Sequence, residues 1–541
     1  MEKFVVRLPP SRNNTRGTNS SQNDPSRTID PQQINLRPGW SVQLKDGSYL
    51  HIRSWKTDRL NRIIFKGYKL VYPNTDDHCV EFENKELLWV SYAHPKDQQV
   101  IEFERSEDDV VRNCRIIFTN QPYHNMNYEQ DAGSSLEPLY FCRWKRVLPL
   151  ASEMYRRRKE GTRHLRGSVE HLKPSDSMCG HRLQKSGALV PIRIGDKEVR
   201  EIWRGVGVTA LGGSHQEHIF DDITMKQYTI ADCCCGAGGA SQGALDAGLK
   251  IKWAFDMDRD AMATYTKRFF NRCGTECRLE NCADFLRHVM RDPRPYLVDI
   301  MHVSPPCQPF SPANTTPNAE KNAANLATFT TVEDLIRLTR PRIATVEESD
   351  GLEKEKHRDW FIKLISMFTG LGYSVRWAVL KLSEYGVPQT RTRLIMIAAG
   401  PGEQLPSLPM PTHGNGSHLH PLPSIRDAIS NIPFGLPDHN VNSAHSIAKN
   451  PFNPETLSGT IKCSGNSEKV YHPDGQRLYT TCEMKLIQTF PLDFKFIGGK
   501  TSQSRQIGNA VPPLAAKAWF TEIKESLATA DEREVASNGN I

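Results

Sequence analysis

For residues 226–525 the sequence predicts an α/β domain built on a mostly parallel, doubly wound sheet, with a separate β-rich domain ahead of it over 37–150. Two observations carry this. From Tyr228 to about Gly400, short apolar runs alternate with helix-like segments, the rhythm of βα units that feed a parallel sheet. Between 37 and 150, short strand-like runs recur with turn signals, which points to a small barrel or sandwich. At 541 residues the chain is also too long for one hydrophobic core.

Taken in order, residues 1–36 are expected to be a disordered tail. From residue 10 they are rich in Ser, Asn, Arg, Thr, Pro and Gln and have too little apolar surface to offset chain entropy. Val42–Ile52 reads as a hairpin, with Asp46-Gly47 supplying the turn that needs positive φ. Strands are expected near 62–71, 86–92, 100–104, 110–118 and 139–144. Residues 151–225 read as an irregular connector carrying a basic cluster, Tyr155-Arg156-Arg157-Arg158-Lys159 followed by Arg163, His164 and Arg166, which suits a phosphate-contacting patch, a nuclear-import signal or a solvated helix face. No run of eighteen apolar residues exists, so no membrane partner is expected. The first ten residues hold too short an apolar stretch for a signal peptide. Thirteen cysteines without such a signal point to free thiols in a reducing compartment, and a net charge of +7 permits a polyanionic partner without requiring one.

In the α/β region, strands are expected at 228–235, 250–255, 296–303, 342–347, 374–382 and 393–399, with helices at 238–247, 261–270, 326–339 and 360–371. Residues 401–455 are dominated by Pro, Gly, His, Asn and Ser, and order returns at 456–525. The last helix is expected over 514–527, with a disordered tail over 526–541. The first strand runs into Asp232-Cys-Cys-Cys-Gly236-Ala-Gly238-Gly239, a turn where a ligand can approach the backbone at a helix N-terminus. Ser241 takes the place of a third glycine and no P-loop lysine is present, so a diphosphate ligand is not favoured. The second strand ends in Asp256, a carboxylate able to accept from both ribose hydroxyls. A ribosylated cofactor without phosphates, such as S-adenosylmethionine (AdoMet), fits this pair. Cys307, just beyond a strand end on a proline-stiffened turn, is placed as a nucleophile, and Glu347 ends the next strand. Ligands of doubly wound sheets bind beyond the carboxyl ends of the strands, where these groups converge. Cys273, Cys277 and Cys282 match no strong zinc spacing, and no metal is expected.

With these motifs the chain resembles the DNA cytosine-5 methyltransferase family over roughly residues 228–525. Pro306-Cys307-Gln308 matches its nucleophile motif and Glu347 the glutamate of its Glu-Asn-Val motif. Gln389-Thr-Arg391-Thr-Arg393 matches Gln-x-Arg-x-Arg, and Gln506–Pro513 matches the closing motif, with Arg477–Pro491 the motif before it. The resemblance implies a Rossmann-like methyltransferase fold with AdoMet as methyl donor. The Cys307 thiolate would attack C6 of a cytosine flipped from double-stranded DNA, while Glu347 bonds to N3 and the amine. Arg393 would contact O2, with Arg391 supporting the phosphate or loop. It also implies that Asp232 with Gly236, Gly238 and Gly239 forms the cofactor turn, that Asp256 holds the ribose and Asp284 the adenine, and that Asn509 and Val511 close the pocket. Residues 401–470 would be a small target-recognition segment. The nearest subgroup by resemblance is the fungal RID (repeat-induced point mutation defective) type, and 37–150 loosely resembles a chromatin-binding BAH (bromo-adjacent homology) domain. Together they imply a nuclear enzyme of fungal repeat silencing, with chromatin or histones as possible partners. Three residues depart from the family: Glu348 for asparagine, Ser349 for valine and Cys234 for phenylalanine. An inward Glu348 would oppose formation of the reactive thiolate. The departures leave open a catalytically silent DNA-binding silencing factor, and the fold leaves open an RNA cytosine methyltransferase.

Overall fold

The computed structural model describes residues 38–72, 86–93, 102–121, 138–149, 166–179, 181–183, 189–204, 227–306, 319–462 and 470–538. Cys307 and the cluster at 155–165 lie outside them, as do residues 1–37.

The N-terminal region is a closed barrel. Strands β1 (Ser41–Leu44), β2 (Tyr49–Thr57), β3 (Ile63–Val71) and β4 (Glu86–Ala93) follow one another antiparallel, and β5 (Phe103–Ser106) pairs on β3. β6 (Val110–Phe118) returns to β1, and β7 (Leu139–Pro149) pairs with both β4 and β6, closing the ring. The β1–β2 hairpin turns where Asp46-Gly47 predicts it: Gly47 has φ 81° and the Asp46 carboxylate accepts from the Ser48 amide at 2.9 Å.

Part of residues 151–225 is strand. β8 (Arg166–His171) pairs antiparallel with the Trp144–Val147 half of β7 on one edge. On its other edge it pairs with Val375–Ala378 of the catalytic sheet. The barrel and the α/β domain therefore share one hydrogen-bonded sheet. Gly167 permits this close approach, because a Cβ there would sit 2.6 Å from the indole of Trp377. Beyond it come the short pair β9 (His181–Leu183) and β10 (Leu189–Pro191) and helix α1 (Asp196–Arg204).

The catalytic sheet is mixed. β11 (Thr229–Cys233), β12 (Lys250–Asp256), β13 (Glu276–Leu279), β14 (Ile300–Val303) and β15 (Ile343–Ser349) are parallel, in spatial order β13-β12-β11-β14-β15. β16 (Ser374–Lys381) and β17 (Thr392–Ala399) follow, and β17 inserts antiparallel between β15 and β16. On one face pack α2 (Gly239–Asp246), α3 (Arg259–Cys273) and the C-terminal helix, with Met262, Tyr265, Trp519 and Phe520 in the core. On the other face α4 (Cys282–Arg291), α5 (Ala319–Thr339) and α6 (Arg358–Gly370) cover Phe255, Met301, Val346 and Leu394. Leu88, Val90, Trp144 and Val169 of the barrel side join this second core. The described part of 401–470 is irregular apart from α7 (Ile425–Ile429), which opens on a Ser424/Asp427 capping box. α8 (Thr481–Ile487) and α9 (Lys500–Asn509) carry the closing motifs.

One expected boundary is corrected. α10 runs over Pro513–Asn538, through most of the expected tail. Its Ala, Glu and Arg content favours helix, and ion pairs tie its far end to the domain. Arg342 Nη2 lies 2.6 Å from Asp531, Arg200 Nη2 lies 2.7 Å from Glu534, and Tyr228 donates to Asp531 at 2.9 Å.

Candidate active site

The glycine turn sits at the carboxyl end of β11, as expected for a ligand site. Its backbone is unusual: Cys234, Gly236 and Gly238 have φ of 55°, 54° and 91°. The glycines divide by cause. A Cβ on Gly238 would fall 2.3 Å from the Phe269 ring and one on Gly239 2.1 Å from the Val511 carbonyl, so packing demands both. A Cβ on Gly236 would meet nothing within 4 Å, which leaves its backbone open to a ligand. Asp256, at the end of β12, holds this turn in place by accepting from the Gly236 amide at 2.8 Å and the Asp258 amide at 2.8 Å. Burial nevertheless pushes its carboxyl pKa up. Asp232 is buried on β11 and accepts from the Ser241 hydroxyl at 2.6 Å, which in turn lies 2.6 Å from the Tyr265 hydroxyl. Ser241, read from sequence only as a missing glycine, is thus a functional-looking partner of Asp232. Burial pushes Asp232 up to about 7; the Ser241 bond opposes this and Asp256 adds to it.

Asp284 is not brought to the crevice. It lies in the first turn of α4, where its exposed carboxylate pairs with Arg287 and accepts from Asn281. The residue at the strand end is Asn281, the N-cap of α4 just beyond β13. Sequence reading missed it, although an Asn before a helical run is a recognisable cap. Cys234, where the family has phenylalanine, is half-buried, and burial raises the thiols of Cys233, Cys234 and Cys235 well above the usual range.

At the second half of the site, Glu347 and Arg393 meet across β15 and β17, with Arg393 Nε 2.8 Å from Glu347 Oε1 and both side chains nearly buried. Period-2 alternation puts Glu348 on the opposite face, beside Leu394. Glu348 is 0% exposed, accepts from the Ser349 amide at 2.9 Å, and is pushed well above the usual carboxylate range by burial. Burial thus favours its protonated form, which weakens the charge objection raised by an inward-facing second carboxylate.

Arg391 is 1% exposed and does not reach a phosphate. Its guanidinium donates to the carbonyls of Ile461, Gly508 and Ala510 at 3.1, 3.2 and 3.1 Å. Buried Gln389 donates to Gln488, and Gln488 donates to the carbonyls of Ile507 and Ala510. This network delivers the closing motif to the glycine turn, where the Val511 carbonyl abuts Gly239. Asn509, exposed at the end of α9, lies beside it in sequence. β14 ends at Val303 next to β11, and the Ser304 amide donates to the Cys233 carbonyl at 3.1 Å. The segment that leads to Cys307 thus leaves the sheet between the glycine turn and the Glu347–Arg393 pair. His302 stabilises that exit: its ring nitrogens lie 2.8 Å from the Thr345 hydroxyl and 2.9 Å from the Ser304 hydroxyl, and burial holds its pKa down to about 3. Among the described residues no group of three or more His, Cys, Asp or Glu side chains is placed to hold a metal ion, and no helix is long and apolar enough to cross a membrane.

Residues 228–450 and 439–525 match the profile of the C-5 cytosine-specific DNA methylases. The chain belongs to this family. The Type II methyltransferase M.AplI of Arthrospira platensis is 30% identical over 334 residues, which span 58% of this chain and 90% of that protein. M1.HphI of Haemophilus parahaemolyticus is 27% identical over 332 residues, 55% of this chain and 86% of that one. The DNA (cytosine-5)-methyltransferase 1B of Oryza sativa is 23% identical over 435 residues, 56% of this chain and 28% of the rice protein. The methylase is thus a DNA cytosine-5 methyltransferase, and its methyl donor is AdoMet. The open backbone at Gly236, the buried carboxylate of Asp232 and the half-buried one of Asp256 suit a cationic, ribose-bearing cofactor.

Proposed function

We propose that the enzyme methylates C5 of cytosine in DNA through a covalent Cys307 adduct, within fungal repeat silencing of the RID type. The observation that carries the chemistry is the ion pair of Glu347 and Arg393 beside the strand that leads into Cys307. The cytosine leaves the duplex so that side chains reach its ring. The Cys307 thiolate adds to C6. Glu347, oriented by Arg393, bonds to N3 and the exocyclic amine and offsets the charge that addition pushes into the ring. Arg393 faces O2, and Arg391 holds the closing motif in place. Asp232, Gly236, Asp256, Asn509 and Val511 form the cofactor side, with Asn281 replacing Asp284 at the strand end. When bound, AdoMet supplies an electrophilic methyl group; after transfer a base removes the C5 proton and Cys307 departs.

The finer reading places the enzyme in the nucleus, with residues 401–470 as target-recognition segment and the N-terminal barrel as a BAH-like module that engages chromatin or histones. The ordered motifs, the Gly-Ala-Gly-Gly-Ala-Ser first turn and the barrel fused to the catalytic sheet support it. The raised pKa of Glu348, which works against a second negative charge there, favours an active enzyme over a silent DNA-binding factor.

Trapping tests the chemistry. Incubation with AdoMet and a duplex carrying 5-fluorocytosine should yield a covalent adduct, because fluorine at C5 cannot leave as a proton does. The adduct should be absent from Cys307→Ser. No adduct on any DNA, with AdoMet binding intact, would transfer weight to the silent factor.

A further inference from the structure

Asp232 is a buried carboxylate with a use that cofactor binding alone does not explain. It is 1% exposed, Oδ2 is taken by Ser241, and Oδ1 has no hydrogen-bond partner among the described residues. An unsatisfied, buried carboxylate oxygen is costly unless the group is protonated or meets a cation. Among the described residues, the groups that face it supply no cation. α2 contributes Ser241, α3 the Tyr265 phenol and β12 Asp256. β14 contributes His302, next to Asp232 in register, neutral, with both ring nitrogens engaged by Thr345 and Ser304. Cys233 and Cys235 on its own segment are neutral thiols.

We propose that Asp232 carries a proton in the cofactor-free enzyme and releases it to solvent when the cationic cofactor binds, so that its ionised form selects for the cofactor's positive charge. This rests on the assignment of Asp232 to the cofactor side. The cofactor offers two sources of charge, the ammonium and the sulfonium, and only the first survives in the product S-adenosylhomocysteine (AdoHcy). If the sulfonium is the source, product leaves as Asp232 takes its proton back. The half-titration near pH 7 set by burial puts the exchange in the physiological range.

The test is isothermal titration calorimetry of AdoMet into the full-length enzyme, in buffers of different ionisation enthalpy. It should report about 0.5 proton released per AdoMet at pH 7, about 0.9 at pH 6 and none at pH 9, and affinity should fall about tenfold between pH 6 and 5. Asp232→Asn should abolish the release. Ser241→Ala, which removes the bond that favours the ionised form, should move the release profile to higher pH. Release with both AdoMet and AdoHcy assigns the charge to the ammonium; release with AdoMet alone assigns it to the sulfonium. Binding heat without buffer dependence overturns the proposal but leaves the methylase assignment standing. Release that persists in Asp232→Asn, or a profile unmoved by Ser241→Ala, also overturns it.

Discussion

At the scale of single residues, two neighbouring glutamates on β15 have opposite fates because a strand turns successive side chains to opposite faces. Glu347 meets Arg393, whereas Glu348 is buried beside Leu394 and accepts from the Ser349 backbone amide. The pH dependence of stability follows. A buried acid whose pKa is raised binds its proton more tightly folded than unfolded, so its contribution is full below the ordinary carboxylate range and is lost as pH rises. The contribution of Glu348 to wild-type stability should therefore shrink as pH rises above the ordinary carboxylate range. In Glu348→Gln, which is neutral throughout, the loss with rising pH should be smaller, as a thermal melting series would read. A variant that loses stability in parallel with wild type would show that Glu348 does not titrate above that range.

At the scale of elements, the Gln-x-Arg-x-Arg segment is a hinge between two jobs. The two arginines are two residues apart, but Arg393 is in β17, facing Glu347, whereas Arg391 precedes the strand and turns to the closing motif. Arg391 holds three carbonyls with a planar fork that lysine cannot reproduce. Arg391→Lys and Arg391→Ala should both destabilise the fold, the alanine by about 3 kcal/mol or more, since buried carbonyls lose charge-assisted bonds. Chemical denaturation checks this, and AdoMet binding should weaken in step because Val511 no longer abuts the glycine turn. Similarly, Gly167→Ala should cost about 1–3 kcal/mol by forcing the Trp377 indole away from β8.

At the scale of the whole molecule, β7, β8 and β16 make the barrel and the catalytic domain parts of one sheet with a shared core. The chain should accordingly melt in a single calorimetric transition, and residues 227–541 expressed alone should aggregate or melt well below the full chain, since β16 loses its neighbour and Trp377 its cover. Two separate transitions would show that β8 is only a docked strand. The fusion fixes the barrel's orientation relative to the catalytic sheet.

The sequence by itself determined the α/β rhythm, the barrel strands, the hairpin at Asp46-Gly47 and the order of the motifs. All are local: strand runs, turn residues and short spacings are written in neighbouring positions. Of the residues singled out there, Glu347 and Arg393 meet across β15 and β17, and Asp256 ends β12. Only tertiary structure decided the rest. β8, with Val169 as its sole large apolar residue, carries no strand pattern and exists because β7 and β16 flank it. The last turns of α10 are held by Arg342 and Arg200, far away in sequence. Gly238 and Gly239 are set by the packing of Phe269 and Val511, and Arg391 by the carbonyls of the closing motif. Asn281, just beyond β13, caps α4, and Asp284 pairs with Arg287 in its first turn. Burial, which moves the pKa values of Asp232 and Glu348, depends on what packs against a residue, and no local pattern encodes that.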